Sequence, residues 1–167
     1  MKKEILSLQQ IKQKTLRMAY QIAEDCMDEE KIILVGIIPK GLVFANLLAT
    51  ALQKILPELK ISIESLKINK EAPLSENIIL SCDAAILANQ YIILVDDVMN
   101  SGKTSFYGLK PFIDVPIKIL KTAVLVDRKH KKFPVSSDYV GLSLTTTLRE
   151  HISVDIDGGE ICHANLV

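Results

Sequence analysis

Tyr91-Ile92-Ile93-Leu94-Val95-Asp96-Asp97-Val98-Met99-Asn100-Ser101-Gly102-Lys103-Thr104 is the stretch that decides the fold. Its first five residues form an unbroken apolar run, the length and composition of a strand buried on both faces of a parallel sheet. The run stops at two adjacent carboxylates, Asp96 and Asp97, and small and polar residues then lead into a segment able to be helical. In an open α/β sheet, ligands sit beyond the carboxyl ends of the strands. Backbone N–H groups at a helix start, left accessible by small residues, make an anion cradle. Two acids on a strand end beside such a cradle point to a ligand that carries hydroxyls, a phosphate and a metal ion.

Working outward, Lys31 to Ile38 reads as a second buried strand, Pro39-Lys40-Gly41 as a tight turn, and Leu42 to Leu56 as an apolar helix closed by Pro57. Ile61 to Leu66 alternates like an edge or half-buried strand. Ser7-Leu8-Gln9-Gln10 has the capping-box pattern, and Leu8, Ile11, Thr15, Met18, Ala19, Ile22, Ala23 and Cys26 then recur at helical spacing. Downstream, a helix is expected from Thr104 to about Asp114, kept short or irregular by Pro111 and Pro116. Ile117 to Val126 reads as another buried strand, Asp138 to Gly141 as a return into a strand, and Ile152 to Ile156 as the last strand. The tail from Gly158-Gly159 predicts no element. Lys67 to Asn89 is the least regular region, and we read it as a mobile connection or short hairpin rising over the ligand edge, where a lid belongs. The order of elements is that of a doubly wound, mainly parallel α/β sheet with helices on both faces, in a single domain spanning residues 1–167.

The composition narrows the function classes. With 167 residues, 49% of them hydrophobic, and a mean hydropathy of +0.25, the chain can bury one sizeable, largely aliphatic core. Twenty basic residues balance twenty acidic ones, so no global field favours nucleic acid, although a local basic patch is compatible with this balance. Cys26, Cys82 and Cys162 are widely spaced with no CxxC, which argues against a disulfide framework or a zinc site and suits a reducing cytoplasm. No signal peptide precedes Ile5, and no apolar run reaches the roughly 18 residues of a membrane span. A soluble cytoplasmic protein is expected.

Ser101-Gly102-Lys103-Thr104 has the end of a nucleotide-triphosphatase P-loop, but that motif needs glycine five residues before Gly102, where this chain has Asp97. In response-regulator receivers the acid pair closes the first strand, whereas here it closes one in mid-chain. The stretch Ile92 to Thr104 instead resembles, without a gap, the phosphoribosyl-pyrophosphate (PRPP) signature of type I phosphoribosyltransferases. The resemblance implies that Asp96 and Asp97 bind the ribose hydroxyls and hold Mg²⁺, and that Asn100, Ser101, Gly102, Lys103 and Thr104 bind the 5′-phosphate. Gly36-Ile37-Ile38-Pro39-Lys40-Gly41 falls where that family has its pyrophosphate loop, which implies roles for Lys40 as a charge and Gly41 as a point of close approach, with a cis peptide at Pro39–Lys40. Catalytic roles would then fall to Asp96, Asp97 and Lys40.

Leu125-Val126-Asp127-Arg128-Lys129-His130, followed by Phe133-Pro134 and Asp138-Tyr139-Val140-Gly141, narrows the resemblance to the pyrimidine-operon attenuation regulators that double as uracil phosphoribosyltransferases. It runs from about Ile5 to Ile156. It implies a small hood after Asp127-Arg128, with Arg128 and the backbone near Val126 recognising the base, and uracil as that base. Where the family places an arginine and acids after the strand ending at Leu66, this chain has Ile68 and Asn69, with Lys67 or Lys70 as candidate compensating cations. A homo-oligomer, a dimer or higher, is expected. The alternative function is a nucleotide-sensing RNA-binding regulator with weak or no catalysis, for which Arg128 to Lys132, Lys118, Lys121 and Arg149 are the candidate basic patch.

Overall fold

Lys3–Leu6 forms strand β1, and Ser7 then caps helix α1 (Leu8–Cys26), in a computed structural model that describes residues 2–147 and 150–167. The capping box forms as the sequence predicts: Gln10 N–H donates to Ser7 Oγ at 3.4 Å and Ser7 N–H to Gln10 Oε1 at 2.9 Å. Strand β2 (Lys31–Ile37) passes into helix α2 (Lys40–Ile55), which starts two residues before the expected Leu42. Strand β3 (Lys60–Lys67) is followed by the two-residue strand β4 (Ile79–Leu80) and a 3-10 turn at Ala84–Leu87. Strand β5 (Tyr91–Met99) contains the acid pair. The expected helix after it is two pieces, α3 (Lys103–Gly108) and α4 (Lys110–Ile113), because Pro111 has no N–H to continue the ladder. Strands β6 (Ile119–Asp127), β7 (Tyr139–Ser143), β8 (Ile152–Asp157) and β9 (Glu160–Leu166) complete the described chain.

The main sheet has the order β4-β3-β2-β5-β6-β7, parallel throughout except for β4. Alternate residues of its central strands serve opposite faces. Ile32, Leu34, Ile93, Val95, Ala123 and Leu125 pack with α1 and α2, while Ile33, Val35, Ile92 and Leu94 pack with Phe112 of α4 and Leu87 of the 3-10 turn. This is the doubly wound α/β arrangement, with helices on both faces. From β2 the chain crosses through α2 to one side, and from β5 it crosses through α3 and α4 to the other. The carboxyl ends of β2 and β5 therefore flank the switch point, where such sheets bind ligands.

The tail departs from its expected irregularity. Residues after Gly159 form β9, the centre of a three-stranded antiparallel sheet ordered β1-β9-β8. Val154, Ile161 and Ala164 of this sheet join the core beside α1 and α2. Pairing between Lys3 and Leu166 leaves no local sequence signal, so neither β1 nor β9 stands out by its own periodicity.

Candidate active site

Asp96 and Asp97 lie buried toward the carboxyl end of β5 at 3% and 6% exposure. Asp97 N–H donates to Asp96 Oδ1 at 2.9 Å, which fixes one carboxylate against the other's backbone. Lys70, from the loop after β3, places its Nζ 2.9 Å from Asp96 Oδ1 and 3.5 Å from Asp97 Oδ1. Burial pushes the Asp96 carboxyl up to about 7; Lys70 works against this shift and the neighbouring Asp97 adds to it. For Lys70, burial alone would lower the ammonium's pKa, but the two carboxylates outweigh burial and leave it raised.

The predicted phosphate turn stands directly beyond the acids. Gly102 takes φ +82°, a left-handed conformation suited to glycine, and opens α3. Asn100, Ser101, Gly102, Lys103 and Thr104 line one cleft of about 290 Å³ with Asp96, Asp97 and Lys70. The Lys103 ammonium donates to Glu71 O at 2.6 Å. Ile152 of β8 forms part of the wall. That residue carried no sequence signal, since an isoleucine in an alternating strand reads as core.

Lys40 and Gly41 do not line this cleft. A Cβ on Gly41 would lie 2.5 Å from Val95 O and 2.9 Å from Asp96 Cα, so the absence of a side chain lets α2 close on the end of β5. Lys40 is half-buried, and its charge adds to that of Lys2 in holding the Asp155 carboxyl low. The cis bond expected at Pro39–Lys40 lies one residue earlier, at Ile38–Pro39, where the tertiary amide narrows the preference for trans.

Arg128 is buried and committed: its Nε donates to Thr146 Oγ1 at 2.5 Å and its Nη2 to Thr147 O at 2.7 Å. It borders a neighbouring cavity of about 430 Å³ with Asn100, Ser101, His130, Lys132 and His151. Val126 is buried in the core and lines neither cavity. The two loops are laced together, since Met99 O accepts from Arg128 N–H at 2.9 Å and Ser101 O accepts from Lys132 N–H at 2.8 Å and Phe133 N–H at 3.1 Å. Of the positions where the resemblance expects arginine and an acid, Ile68 is buried in the core and Asn69 Oδ1 accepts from the N–H groups of Glu71 and Ala72.

The candidate basic patch divides. Lys118 pairs with Glu29 and Lys121 with Asp25, both at 2.6 Å, at the start of β6. At ~3.3 Å per residue, Arg128 to Lys132 at the far end of that strand are roughly 25–30 Å away. Lys131 pairs with Asp127 at 2.5 Å, and Arg149 lies outside the described residues.

The geometry therefore places two buried carboxylates beside a small-residue turn at a sheet switch point. The sequence profile described as "Phosphoribosyl transferase domain" matches residues 1–157. The chain belongs to the phosphoribosyltransferase family. It is 32% identical over 162 residues to the "Bifunctional protein PyrR" of Bacillus subtilis (strain 168), covering 92% of this chain and 89% of the relative. The protein of the same name from Enterococcus faecalis is 32% identical over 163 residues, covering 93% and 90%. Among solved structures, the hypoxanthine phosphoribosyltransferase of Trypanosoma cruzi superposes with a TM-score of 0.78 at 18% identity, covering 96% of this chain and 95% of that one. A hypoxanthine-guanine phosphoribosyltransferase of Bacillus anthracis gives 0.71 at 22%, covering 86% and 82%. These two likenesses speak to the phosphoribosyltransferase fold. Among the described residues, no helix is long and apolar enough to cross a membrane.

Proposed function

We propose that this phosphoribosyltransferase moves the 5-phosphoribosyl group of PRPP to a nucleobase, with uracil as the base, and releases pyrophosphate. The observation that carries this reading is the single cleft in which Asp96 and Asp97 face the 100–104 turn at the end of β5. The carboxylates orient the ribose hydroxyls and stabilise the positive charge that builds on the sugar ring as pyrophosphate leaves. The turn holds the 5′-phosphate. Among the described residues no three metal-ligating side chains cluster. Two carboxylates nevertheless suit Mg²⁺, which takes one or two of them and completes its shell with substrate oxygens and water. Asp96 and Asp97 are the residues that would hold it, and charge neutralisation on the pyrophosphate is the chemistry it supplies.

Uracil is favoured by the resemblance of Leu125 to Gly141 to the attenuation regulators that double as uracil phosphoribosyltransferases. Arg128, held by Thr146 and Thr147, shapes the neighbouring cavity that would take the base, while Val126 sits behind it in the core. The cleft lining lacks Lys40, so the pyrophosphate role that the resemblance implies for it rests on the resemblance alone. A cytoplasmic homo-oligomer belongs to the same reading, with Cys26, Cys82 and Cys162 as free thiols. The second reading, a nucleotide-sensing RNA-binding regulator, is favoured by the "bifunctional" relatives and by the Lys129 and Lys132 rim.

A panel of free bases with PRPP and Mg²⁺, followed by pyrophosphate release, tests the first reading. Turnover with uracil, abolished by Asp96→Asn with Asp97→Asn, is expected; unchanged turnover in that double variant sinks the site. PRPP binding without turnover on any base, joined to RNA binding with a steep salt slope, selects the second.

A further inference from the structure

Two adjacent carboxylates lining one cleft would ordinarily attract a free divalent cation. Here the position is already taken by a side chain, with the Lys70 ammonium 2.9 Å from one carboxylate and 3.5 Å from the other. Nor is Lys70 a loose surface lysine. Ile68, two residues before it, is buried in the core, and Asn69 Oδ1 folds the next turn by accepting from Glu71 N–H at 3.1 Å and Ala72 N–H at 3.0 Å. Lys103 then clamps Glu71 O at 2.6 Å. The 68–72 segment is thus a strap from β3 across the acid pair to the start of α3.

We propose that Lys70 is a tethered counter-ion that keeps free divalent metal off Asp96 and Asp97, so that metal enters the cleft only with a pyrophosphorylated substrate that displaces the strap. This deepens, and rests on, the PRPP reading of the same site. Free metal would satisfy the carboxylates but leave Lys70 without a partner beside a second cation. A metal–substrate complex brings a cation and hydroxyls to the acids and anionic oxygens to both Lys70 and Lys103. Only the complex replaces every interaction that it breaks.

Mn²⁺, a paramagnetic substitute for Mg²⁺, is titrated into the full chain and followed by electron paramagnetic resonance without substrate. Lys70→Gln and Lys70→Ala are expected to bind Mn²⁺ at least about tenfold more tightly than the unaltered protein. Adding Asp97→Asn to Lys70→Gln should remove the gain. Equal Mn²⁺ affinity with and without Lys70 overturns the proposal. PRPP should recruit Mn²⁺ to the unaltered protein. If it recruits none to any variant while the tenfold gap persists, PRPP is wrong as the ligand and the counter-ion role stands. A readout needing no variant is lysine acylation followed by mass spectrometry. Lys70 should react more slowly than exposed Lys67; equal rates at the two lysines overturn the proposal.

Discussion

Gly41→Ala probes the joint between scaffold and site. The new methyl carbon would lie 2.5 Å from the Val95 carbonyl oxygen, 0.9 Å short of the 3.4 Å at which ordinary contact begins (3.4 − 2.5). Its other neighbours are Asp96 Cα at 2.9 Å and Asp96 Oδ1 at 3.2 Å, so two of the three obstacles are backbone atoms that cannot rotate away. The start of α2 must retreat from β5, and overpacking of this kind costs about 1–3 kcal/mol. For a chain of this size each kcal/mol corresponds to about 2–4 °C, which gives a fall of roughly 2–12 °C in Tm. PRPP affinity should fall with it, because the retreating contact carries Asp96. Gly108→Ala is the matched control, since its added carbon meets side-chain tips rather than backbone, Leu66 at 3.3 Å, Leu94 at 3.8 Å and Ile37 at 4.0 Å. Thermal unfolding and calorimetric PRPP titration read both effects. A Gly41→Ala protein that melts within a degree of the parent and binds PRPP equally well would refute the reasoning.

Asp96→Asn should flatten a pH slope: burial holds the folded carboxyl above its usual 3.8, so the folded state keeps a proton that the unfolded state has lost. Stability of the parent should therefore fall as pH rises from about 4 through about 7, and urea melts at both ends should show the variant lacking that fall. Arg128→Ala leaves the Thr147 carbonyl and the Thr146 hydroxyl without their charged donor and should cost about 2–3 kcal/mol by chemical denaturation, with faster hydrogen exchange around residues 144–147. Tyr139→Phe removes the hydroxyl that meets Tyr91 at 3.0 Å and Asp25 at 2.5 Å, and a loss of about 1–3 kcal/mol is expected in the same assay.

The sheet core was legible because its strands are local. Tyr91 to Val95, Ile32 to Val35 and Ala123 to Val126 are apolar runs that need no partner to be recognised, and Ser7 and Gln10 announce α1 from four residues. β1 was not legible, since its one partner lies more than 150 residues away. β9, by contrast, follows β8 through the Gly158-Gly159 turn, a local hairpin signal that the expectation of an irregular tail passed over. The same division runs through the site. Asp96, Asp97 and residues 100–104 are contiguous and meet in one cleft, as their spacing suggested. Lys40 and Gly41 open α2, whose approach to β5 only the folded chain reveals, and that approach assigns Gly41 to packing. Lys70 could be named as a spare cation, but its reach to the acids depends on Ile68 being anchored in the core. Arg128 reads as a free base-recognising group until Thr146 and Thr147 are seen to hold it.

The Ser101 carbonyl accepts N–H groups from both Lys132 and Phe133, so the turn proposed to bind phosphate and the segment beyond β6 share one oxygen as a common anchor. Two ligand subsites joined in this way are thermodynamically conjugate: whatever factor one occupant contributes to the other's affinity must be returned in full. A nucleoside and inorganic phosphate, titrated separately and then together, should show that reciprocity, with the nucleoside tightening phosphate by the same ratio that phosphate tightens the nucleoside. The mononucleotide, which carries both groups on one frame, would then bind more tightly than its two halves imply, making the product a natural brake on its own formation.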